Sequence, residues 1–348
     1  MRFIQSRQNQ IIKDILAIRD KKNRRKEQCF LIEGFRFVRE ALLSKAEIKT
    51  ICVSSGFVNK FNQEFGLVSE DKIETKMEIE KENKKEKNAE VKTEDTINIK
   101  TEDTAKAKTE AKTKVKAEIE TGVEAEAKTK IKIIEVPDEL FRVLSQTDTP
   151  QGILAVVGIP VISLSSIYHK GFRGLVLDFV QDPGNAGTII RSAHALGFDA
   201  VLTTPGTVDV FNSKALRATM GSIFNIPVLD NISENEILAF CNNNSLRMIV
   251  SRLENAKPCY EANLAENFLF VIGNEGKGVS ASLQEHASEF IHIPMPGGAE
   301  SFNAAIAASI IMYESFRQRI ELVQLKLNIG TSVEDSTPTE AGIRNSHL

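Results

Sequence analysis

Residues 174–191, GLVLDFVQDPGNAGTIIR, combine a pattern typical of a buried strand with a turn and the start of a helix. The run Gly174–Val180 is mostly apolar, as expected for a strand covered on both faces. The strand stops at the Pro-Gly turn 183–184, and a helix begins near Asn185 or Thr188 with free backbone N–H groups at its start. The stretch predicts a strand-turn-helix unit of an α/β fold.

The same alternation of strands and helices continues over residues 170–327, which we expect to form the C-terminal domain. Further strands are predicted at Ala200–Thr203, Arg247–Ser251, Phe268–Gly273 and Phe290–Pro294, and helices at Thr188–Leu196 and Ser301–Leu325. Such alternation predicts a mostly parallel sheet with helices on both faces. Ligands of these sheets bind beyond the carboxyl ends of the strands.

Three segments follow the predicted strands at that edge. The first segment is residues 180–191, the second is 268–279 (FLFVIGNEGKGV) and the third is 291–303 (IHIPMPGGAESFN). The glycines of the second segment allow a ligand to approach the backbone closely. Their spacing fits neither a Walker A loop nor the G-x-G-x-x-G dinucleotide fingerprint. In the third segment, Ser301 is the predicted N-cap of the long helix. Taken singly, each segment also fits an ordinary strand-turn-helix corner.

The N-terminal half predicts a smaller α/β domain, formed by residues 1–69 and 133–158. Apolar residues at helical spacing alternate with strand-like runs, ending at Ile153–Val157. Residues 1–50 carry 13 Lys+Arg against 6 Asp+Glu, although the whole chain has a formal charge of −3. Much of this excess lies in Arg19, Lys21, Lys22, Arg24, Arg25 and Lys26. The cluster fits a phosphate-binding patch and an ordinary solvated turn about equally well.

Residues 70–132 form a low-complexity charged insertion between the two parts of this domain. The 63 residues contain 17 Asp+Glu and 16 Lys+Arg, with no proline, no aromatic residue and one glycine. Such a composition cannot bury enough apolar surface to offset the entropy lost on ordering, so we expect disorder. Residues 328–348 are likewise predicted to be a disordered tail.

The composition also limits the class of protein. No apolar run reaches the roughly 18 residues that span a bilayer, and the first residues lack an apolar signal core. The four cysteines are widely spaced without a C-x-x-C pair, which disfavours structural zinc and a disulfide framework. We therefore expect a cytoplasmic protein that binds neither a membrane nor a metal.

The three segments together resemble the three motifs of the SpoU (TrmH-type) RNA ribose 2′-O-methyltransferases, within the SPOUT superfamily. The matching residues are Asn185-x-Gly187-x-x-x-Arg191, Ile272-Gly273-Asn274-Glu275-Gly276-x-Gly278, Ile293-Pro294-Met295 and Ser301-Phe302-Asn303. The N-terminal half resembles the family's RNA substrate-binding domain, which is similar to ribosomal protein L30e. Its matching stretches are Ser6–Asn9, Arg24–Lys26, Leu31–Gly34 and Ser145–Gly152.

The resemblance implies a C-terminal α/β domain with a parallel sheet and a deep trefoil knot, and a homodimer formed through that domain. It implies S-adenosylmethionine (S-adenosyl-L-methionine) as cofactor, in a site lined by Gly273, Ile293 and Phe302. Family members often have leucine at the position of Phe302. The substrate implied is structured RNA, with ribosomal RNA favoured over tRNA by analogy.

The resemblance also assigns the site residues. Arg191 matches the catalytic arginine and would orient the ribose 2′-hydroxyl and its phosphate, because a guanidinium is always charged and is a poor base. Asn185, Glu275, Ser301 and Asn303 would hold Arg191, the loops and the ribose in place. Two other classes are considered: a nucleotide- or NAD-dependent enzyme, which the glycine spacing disfavours, and an RNA-binding relative without activity, which the presence of these five residues disfavours.

Overall fold

A computed structural model describes residues 1–44, 46–65 and 131–334. The predicted insertion therefore lies outside the described residues, apart from its last two positions. Contacts divide the chain into two compact units, Met1–Pro160 and Val161–Leu348. Each unit is an α/β structure with its own sheet.

The elements of the first unit alternate along the chain. Among its described residues the helices are α1 (Gln10–Ala17), α2 (Lys21–Glu27), α3 (Phe35–Leu43), α4 (Val58–Phe65) and α5 (Asp138–Leu144), with a 3-10 turn at Ser55–Phe57. Its strands are β1 (Arg2–Phe3), β2 (Cys29–Glu33), β3 (Ile48–Ser54), β4 (Lys132–Val136) and β5 (Ile153–Gly158).

The described strands of this unit form one mixed sheet in the order β1-β4-β3-β5-β2. β4 runs parallel to β1 and β3, whereas β5 pairs antiparallel with β3 and β2. Ile12 and Ile15 of α1 share one apolar core with Phe141 and Leu144 of α5. Because α1 presents its apolar residues on one face, burying them against the sheet fixes the helix.

The second unit contains the remaining described elements. Its helices are α6 (Leu164–Ile167), α7 (Pro183–Ala195), α8 (Ser213–Thr219), α9 (Glu234–Asn244), α10 (Ala281–Glu285) and α11 (Ala304–Glu334), with 3-10 turns at Ser222–Phe224 and Cys259–Glu261. Its strands are β6 (Arg173–Leu177), β7 (Ala200–Thr203), β8 (Val228–Leu229), β9 (Arg247–Ser251), β10 (Lys257–Pro258), β11 (Phe268–Ile272) and β12 (Glu289–His292).

These strands form a sheet in the order β10-β12-β9-β11-β6-β7-β8, and every pairing among the described strands is parallel. The central strands β6, β7 and β11 are buried along their whole length. Both faces of a parallel sheet are covered by helices, which explains their continuous apolar sequences. The predicted α/β class and parallel C-terminal sheet are confirmed.

The ends of several elements differ from the prediction. Helix α7 begins at Pro183, before Asn185 and Thr188, because the Asp182 side chain caps it. Helix α11 begins at Ala304 and continues to Glu334, so residues 328–334 are helical rather than part of a disordered tail. A single glycine within a helix costs only about 1 kcal/mol, which is why Gly330 does not end α11. At the other boundary, Lys132 already belongs to strand β4.

None of the described helices is both long enough and apolar enough to cross a membrane.

Candidate active site

Side chains from all three segments meet at the carboxyl edge of the parallel sheet. The side-chain amide of Asn185 donates to Glu275 Oε1 over 2.9 Å. The Asn185 Oδ1 atom accepts a hydrogen bond from Asn303 Nδ2, also over 2.9 Å. Asn185 of the first segment therefore bridges Glu275 of the second segment and Asn303 of the third.

The start of helix α7 holds Asn185 in position. Its backbone N–H donates to Asp182 Oδ1 over 2.8 Å, and Pro183 occupies the first turn, where the absence of an N–H group is harmless. The hydrogen bond from Asn185 N and the Lys214 ammonium, 3.3 Å from Asp182 Oδ2, keep the pKa of Asp182 below its ordinary value. A Cβ atom at Gly187 would lie 2.3 Å from the Ala215 carbonyl oxygen, so α7 and α8 pack in close contact.

Glu275 accepts hydrogen bonds from several groups of the first segment. Besides the Asn185 amide, the backbone N–H groups of Gln181 and Asp182 donate to its carboxylate over 3.3 and 3.5 Å. Partial burial raises the pKa of Glu275, but the bonds from Asn185 and the backbone outweigh it, so the pKa lies below its ordinary value. The carboxylate stays ionised at neutral pH and ties the second segment to the first.

The second segment folds back on itself after strand β11. Asn274 and Gly278 exchange two backbone hydrogen bonds of 2.9 Å, and Asn274 Oδ1 accepts from the N–H groups of Gly276 and Lys277. A Cβ atom at Gly273 would lie 2.2 Å from the Gly278 carbonyl carbon. Glycine is therefore required at position 273 to close the loop, and a role for Gly273 in cofactor binding stays a proposal.

The third segment is held by Asn303. Its Oδ1 atom accepts from Ala305 N over 2.9 Å and from Ile306 N over 3.3 Å, so Asn303 caps helix α11. The prediction that Ser301 is the N-cap is wrong. Asparagine and serine are about equally good caps, so their order before the alanine run does not decide between them.

Asp178 is a site-forming residue that sequence reasoning missed. It is completely buried at the carboxyl end of β6. Its two carboxylate oxygens accept from Thr204 Oγ1 over 2.8 Å and from Ser280 N over 2.7 Å. These bonds link the ends of β6 and β7 to the residue after the second segment. The one signal in the sequence is a carboxylate at the end of an otherwise apolar strand, since buried charges need partners.

The other predicted site residues lie outside this hydrogen-bonded group. Arg191 is exposed on α7, and Ser301 is exposed in the third segment. Neither has a hydrogen-bond or ion-pair partner among the residues that the structure describes. Phe302 keeps 40% of its surface exposed, and Ile293 is half-buried. These side chains are free to contact a ligand.

The first unit brings two of its predicted RNA-binding stretches together. Glu33 Oε1 accepts from Ser145 Oγ over 2.6 Å and from Thr147 Oγ1 over 2.8 Å, while Glu33 Oε2 accepts from Gln146 N over 2.9 Å. A Cβ atom at Gly34 would lie 2.7 Å from Gln151 Oε1. Glu33 therefore fixes the shape of the 145–147 turn.

Two arginines of the predicted basic patch face inward. Lys21–Glu27 is a helix rather than a turn, and Arg24 is 8% exposed with its guanidinium bonded to the Ile18 carbonyl over 3.0 Å. Arg19 donates to the carbonyls of Val143 and Ser145 over 2.6 and 2.8 Å. Both arginines stabilise the first unit, so the exposed part of the patch is smaller than predicted.

Comparison with known proteins assigns a family to both units. Residues 173–313 match the SpoU rRNA Methylase family, and residues 9–155 match the MRM3-like substrate binding domain. The chain is 32% identical over 316 residues to a Bacillus subtilis protein, covering 90% of this chain and 98% of the relative. That relative is named 23S rRNA (guanosine(2553)-2′-O)-methyltransferase RlmP. The chain belongs to the SpoU rRNA methylase family.

A further relative and a solved structure are also similar to this chain. The 23S rRNA (uridine(2479)-2′-O)-methyltransferase of Streptomyces viridochromogenes is 32% identical over 195 residues, which are 54% of this chain and 68% of that protein. The crystal structure of an AdoMet-bound rRNA methyltransferase from Sinorhizobium meliloti has a TM-score of 0.65 at 24% identity. It aligns with 91% of this chain and 97% of its own. That structural likeness shows the shared fold.

Proposed function

We propose that this protein transfers a methyl group from S-adenosylmethionine to a ribose 2′-hydroxyl of ribosomal RNA. The observation that carries the proposal is the hydrogen-bonded group of Glu275, Asn185 and Asn303. It joins the three segments that resemble the family motifs at one edge of the sheet. Relatives from two bacteria are named as 23S rRNA 2′-O-methyltransferases, which supports the same reaction and substrate class.

The residues of the second and third segments fit the cofactor. Cβ positions at Gly278, Gly297 and Gly298 face open space, with no atom within 4 Å. This open backbone, together with the half-buried Ile293 and the exposed Phe302 of the third segment, suits a ligand with a flat base and a polar chain. We assign S-adenosylmethionine to this region, held by the backbone near Gly273 and by the side chains of Ile293 and Phe302. When bound, it supplies an electrophilic methyl group on a sulfonium.

The protein's task is then to place and activate the 2′-hydroxyl. Arg191 is exposed and without a partner among the described residues, so its guanidinium is available to bind the target nucleotide. Its fork of N–H donors suits a phosphate oxygen and the adjacent hydroxyl together. Holding the hydroxyl in line with the methyl group can supply roughly 7–11 kcal/mol of the barrier. The positive charge also lowers the pKa of the hydroxyl.

The remaining site residues position these groups. Glu275 accepts from the Nδ2 atom of Asn185 and Asn303 donates to its Oδ1 atom, which fixes the start of the helix that carries Arg191. Ser301 is exposed two residues before Asn303, and we assign it to a hydrogen bond with the ribose or the cofactor. Asn185, Glu275 and Asn303 are already hydrogen-bonded to one another, so we assign them the role of holding the three segments in fixed positions.

The first unit supplies the RNA-binding surface in this proposal, as an L30e-like domain formed by residues 1–69 and 133–158. Lys21 and Lys22 are exposed on α2 and are suited to contact phosphates. We expect the double variant K21E/K22E to raise KM for RNA and to reduce its dependence on salt, with the Kd for S-adenosylmethionine unchanged. We also propose that the protein acts in the cytoplasm, where bacterial ribosomes are found.

A homodimer through the second unit is also part of the proposal. Helix α11 exposes four large apolar side chains along one face, namely Ile306, Tyr313, Phe316 and Ile320. Beside it, an apolar groove is lined by Thr188, Ala305, Ile306, Ser309, Ile310 and Tyr313. Such a face is typical of a subunit interface. Light scattering should give a dimer mass for the wild type and a monomer mass for I306D/Y313D; a monomeric wild type contradicts the dimer.

A trefoil knot in residues 170–327 is the topological part of the proposal. It is supported by the insertion of β11 between β6 and β9, and by the return of α11 to α7, where Ser192 and Ser309 share a 2.8 Å hydrogen bond. Pulling on the two ends of a knotted chain tightens the knot. Single-molecule stretching should therefore give a final length shorter than that of a fully extended chain, whereas the full length argues against a knot.

Methyl transfer tests the proposed function. Purified protein is incubated with S-adenosylmethionine carrying a tritiated methyl group and with unmodified 23S rRNA made in vitro. We expect tritium in the RNA. Calorimetry should show binding of S-adenosylmethionine and no binding of NAD or ATP. Binding of NAD or ATP in place of S-adenosylmethionine indicates a different enzyme, and cofactor binding without transfer to any RNA indicates an inactive RNA-binding relative.

A further inference from the structure

Phe179 has an unusual backbone at the carboxyl end of the central strand β6. Its φ angle is +55°, in the left-handed region that a bulky side chain rarely adopts. Its side chain is also among the exposed large hydrophobic groups, with 41% of its surface accessible. Residues that the surrounding structure holds in sparsely populated backbone conformations are concentrated at ligand-binding and catalytic sites. The two features together indicate that the ring is displayed for contact.

The conformation of Phe179 is fixed from several sides. Its N–H donates to Thr204 Oγ1 over 3.2 Å, and its carbonyl oxygen accepts from Asn274 Nδ2 over 2.9 Å and from Gln181 Nε2 over 3.0 Å. The ring lies over Gly206, where a Cβ atom would be 2.5 Å from ring Cε1. The surrounding structure therefore imposes the strained backbone and leaves one part of the ring in solvent.

The same residues connect Phe179 to the candidate active site. Asn274 precedes Glu275, and the backbone N–H of Gln181 donates to the Glu275 carboxylate. Phe179 follows Asp178, whose carboxylate links the strand ends. The exposed ring thus lies directly beside the residues that hold the three segments together, and the proposed methyl transfer gives it no task.

We propose that Phe179 is a stacking platform for an unpaired base of the RNA, at or next to the nucleotide whose ribose is methylated. This inference rests on the proposed function and deepens it by naming the form of the substrate. Sequence-specific RNA recognition mainly uses unpaired bases stacked on aromatic rings, because the edges of paired bases in A-form RNA are poorly accessible. A flat exposed ring on a rigid backbone offers one face for such a base.

Substitutions at Phe179 separate stacking from a structural role. We expect F179G and F179L to raise KM for the RNA about 5- to 150-fold, the affinity that one stacked base supplies. F179Y should keep the wild-type KM because it retains the ring. Glycine relieves the strained backbone while it loses the half-buried ring, so F179G should fold and bind S-adenosylmethionine with the wild-type Kd. The matched control is S245G, at another non-glycine residue with positive φ (52°). Ser245 precedes the amino end of strand β9, whereas the candidate active site lies at the carboxyl ends of the strands, so the KM of S245G should not change.

Fluorescence gives a direct readout because the chain contains no tryptophan. F179W places a single indole at the proposed platform, and N243W places one at an exposed position of α9 as a control. Unmodified 23S rRNA should quench F179W and leave N243W unchanged, and a fully paired RNA duplex should quench neither. The proposal is overturned if F179L and F179G keep KM within twofold of wild type. It is also overturned if S-adenosylmethionine alone, the duplex or self-association quenches F179W. Methyl transfer by the wild type in the same assay leaves the proposed function intact when only this inference fails.

Discussion

The side-chain amide of Asn303 donates a 2.9 Å hydrogen bond to the side-chain oxygen of Asn185, across 118 positions of the chain. The same Asn303 caps helix α11, and the same Asn185 donates to Glu275. Through these hydrogen bonds, Asn185 and Asn303 connect the first segment to the second and third segments.

Removing the Asn185–Asn303 bond should disable the site with little loss of stability. In N303D the carboxylate still caps α11, but the donor to Asn185 is lost. We expect the free energy of unfolding, measured in urea, to change by less than about 1 kcal/mol. The rate of methyl transfer should fall about 100-fold, which is the effect of misplacing a catalytic segment by about 1 Å. Wild-type transfer by N303D contradicts the positioning role.

A double-mutant cycle tests whether Asn185 acts through its neighbours. N185A breaks both of its side-chain bonds, so adding N303A removes nothing further at that contact. The combined loss of transition-state stabilisation should be smaller than the sum of the single losses by about 0.5–3 kcal/mol. Additive losses indicate that the two residues act independently.

Two glycines of the second segment should respond differently to alanine. In G273A the new Cβ atom would lie 2.2 Å from backbone at Gly278, whereas in G276A the nearest atom is 3.7 Å away. We expect G273A to lower the free energy of unfolding by about 1–3 kcal/mol or more and to weaken S-adenosylmethionine binding. G276A should stay within about 0.5 kcal/mol of wild type. Equal effects would show that loop closure is not what requires Gly273.

Thr204 tests the buried links of Asp178. T204V keeps the shape of the side chain but removes the donor to the Asp178 carboxylate and the acceptor for Phe179 N. It leaves a buried carboxylate with one partner fewer, so we expect a loss of about 1–3 kcal/mol in urea unfolding. T204S retains the hydroxyl and should lose clearly less. A T204V protein as stable as T204S contradicts this account of Asp178.

The sequence anticipates the main architecture of the site but not its internal support. Alternating strands and helices predict a parallel sheet, and a parallel sheet brings the ends of distant strands to one edge. Asn185, Glu275 and Asn303 meet there for this reason. The role of Asp178 is not predicted, because the sequence around a carboxylate in an apolar run does not show which distant groups will donate hydrogen bonds to it.

Charge in the N-terminal half shows a different limit. Counting lysines and arginines along the sequence reveals an excess but not its direction. Arg19 and Arg24 turn inward because nearby backbone carbonyls need donors. Only the folded chain shows which carbonyls are left unpaired, so the extent of the exposed patch was not predictable.

The ionisation of Glu275 predicts how stability depends on pH. Its pKa in the folded protein lies below the ordinary value of 4.5. A group with a lowered folded pKa adds stability above the unfolded pKa and loses it as the pH falls through the folded pKa. The stability difference between wild type and E275Q should therefore be constant near about pH 7 and shrink below about pH 4.5. Urea unfolding of both proteins over this range measures it; a difference that grows toward low pH contradicts the assignment.

The exposed side chain of Arg191 is assigned to the target ribose, and methylation of the 2′-hydroxyl should therefore depend on it. After reaction with S-adenosylmethionine, the 23S rRNA transcript is digested to nucleosides and analysed by mass spectrometry. The account predicts a 2′-O-methylated nucleoside with the wild-type protein. It predicts a loss of about 100-fold or more with R191A, whose stability and cofactor affinity should stay at wild-type values. A methyl group on a base, or a normal rate of ribose methylation by R191A, contradicts it.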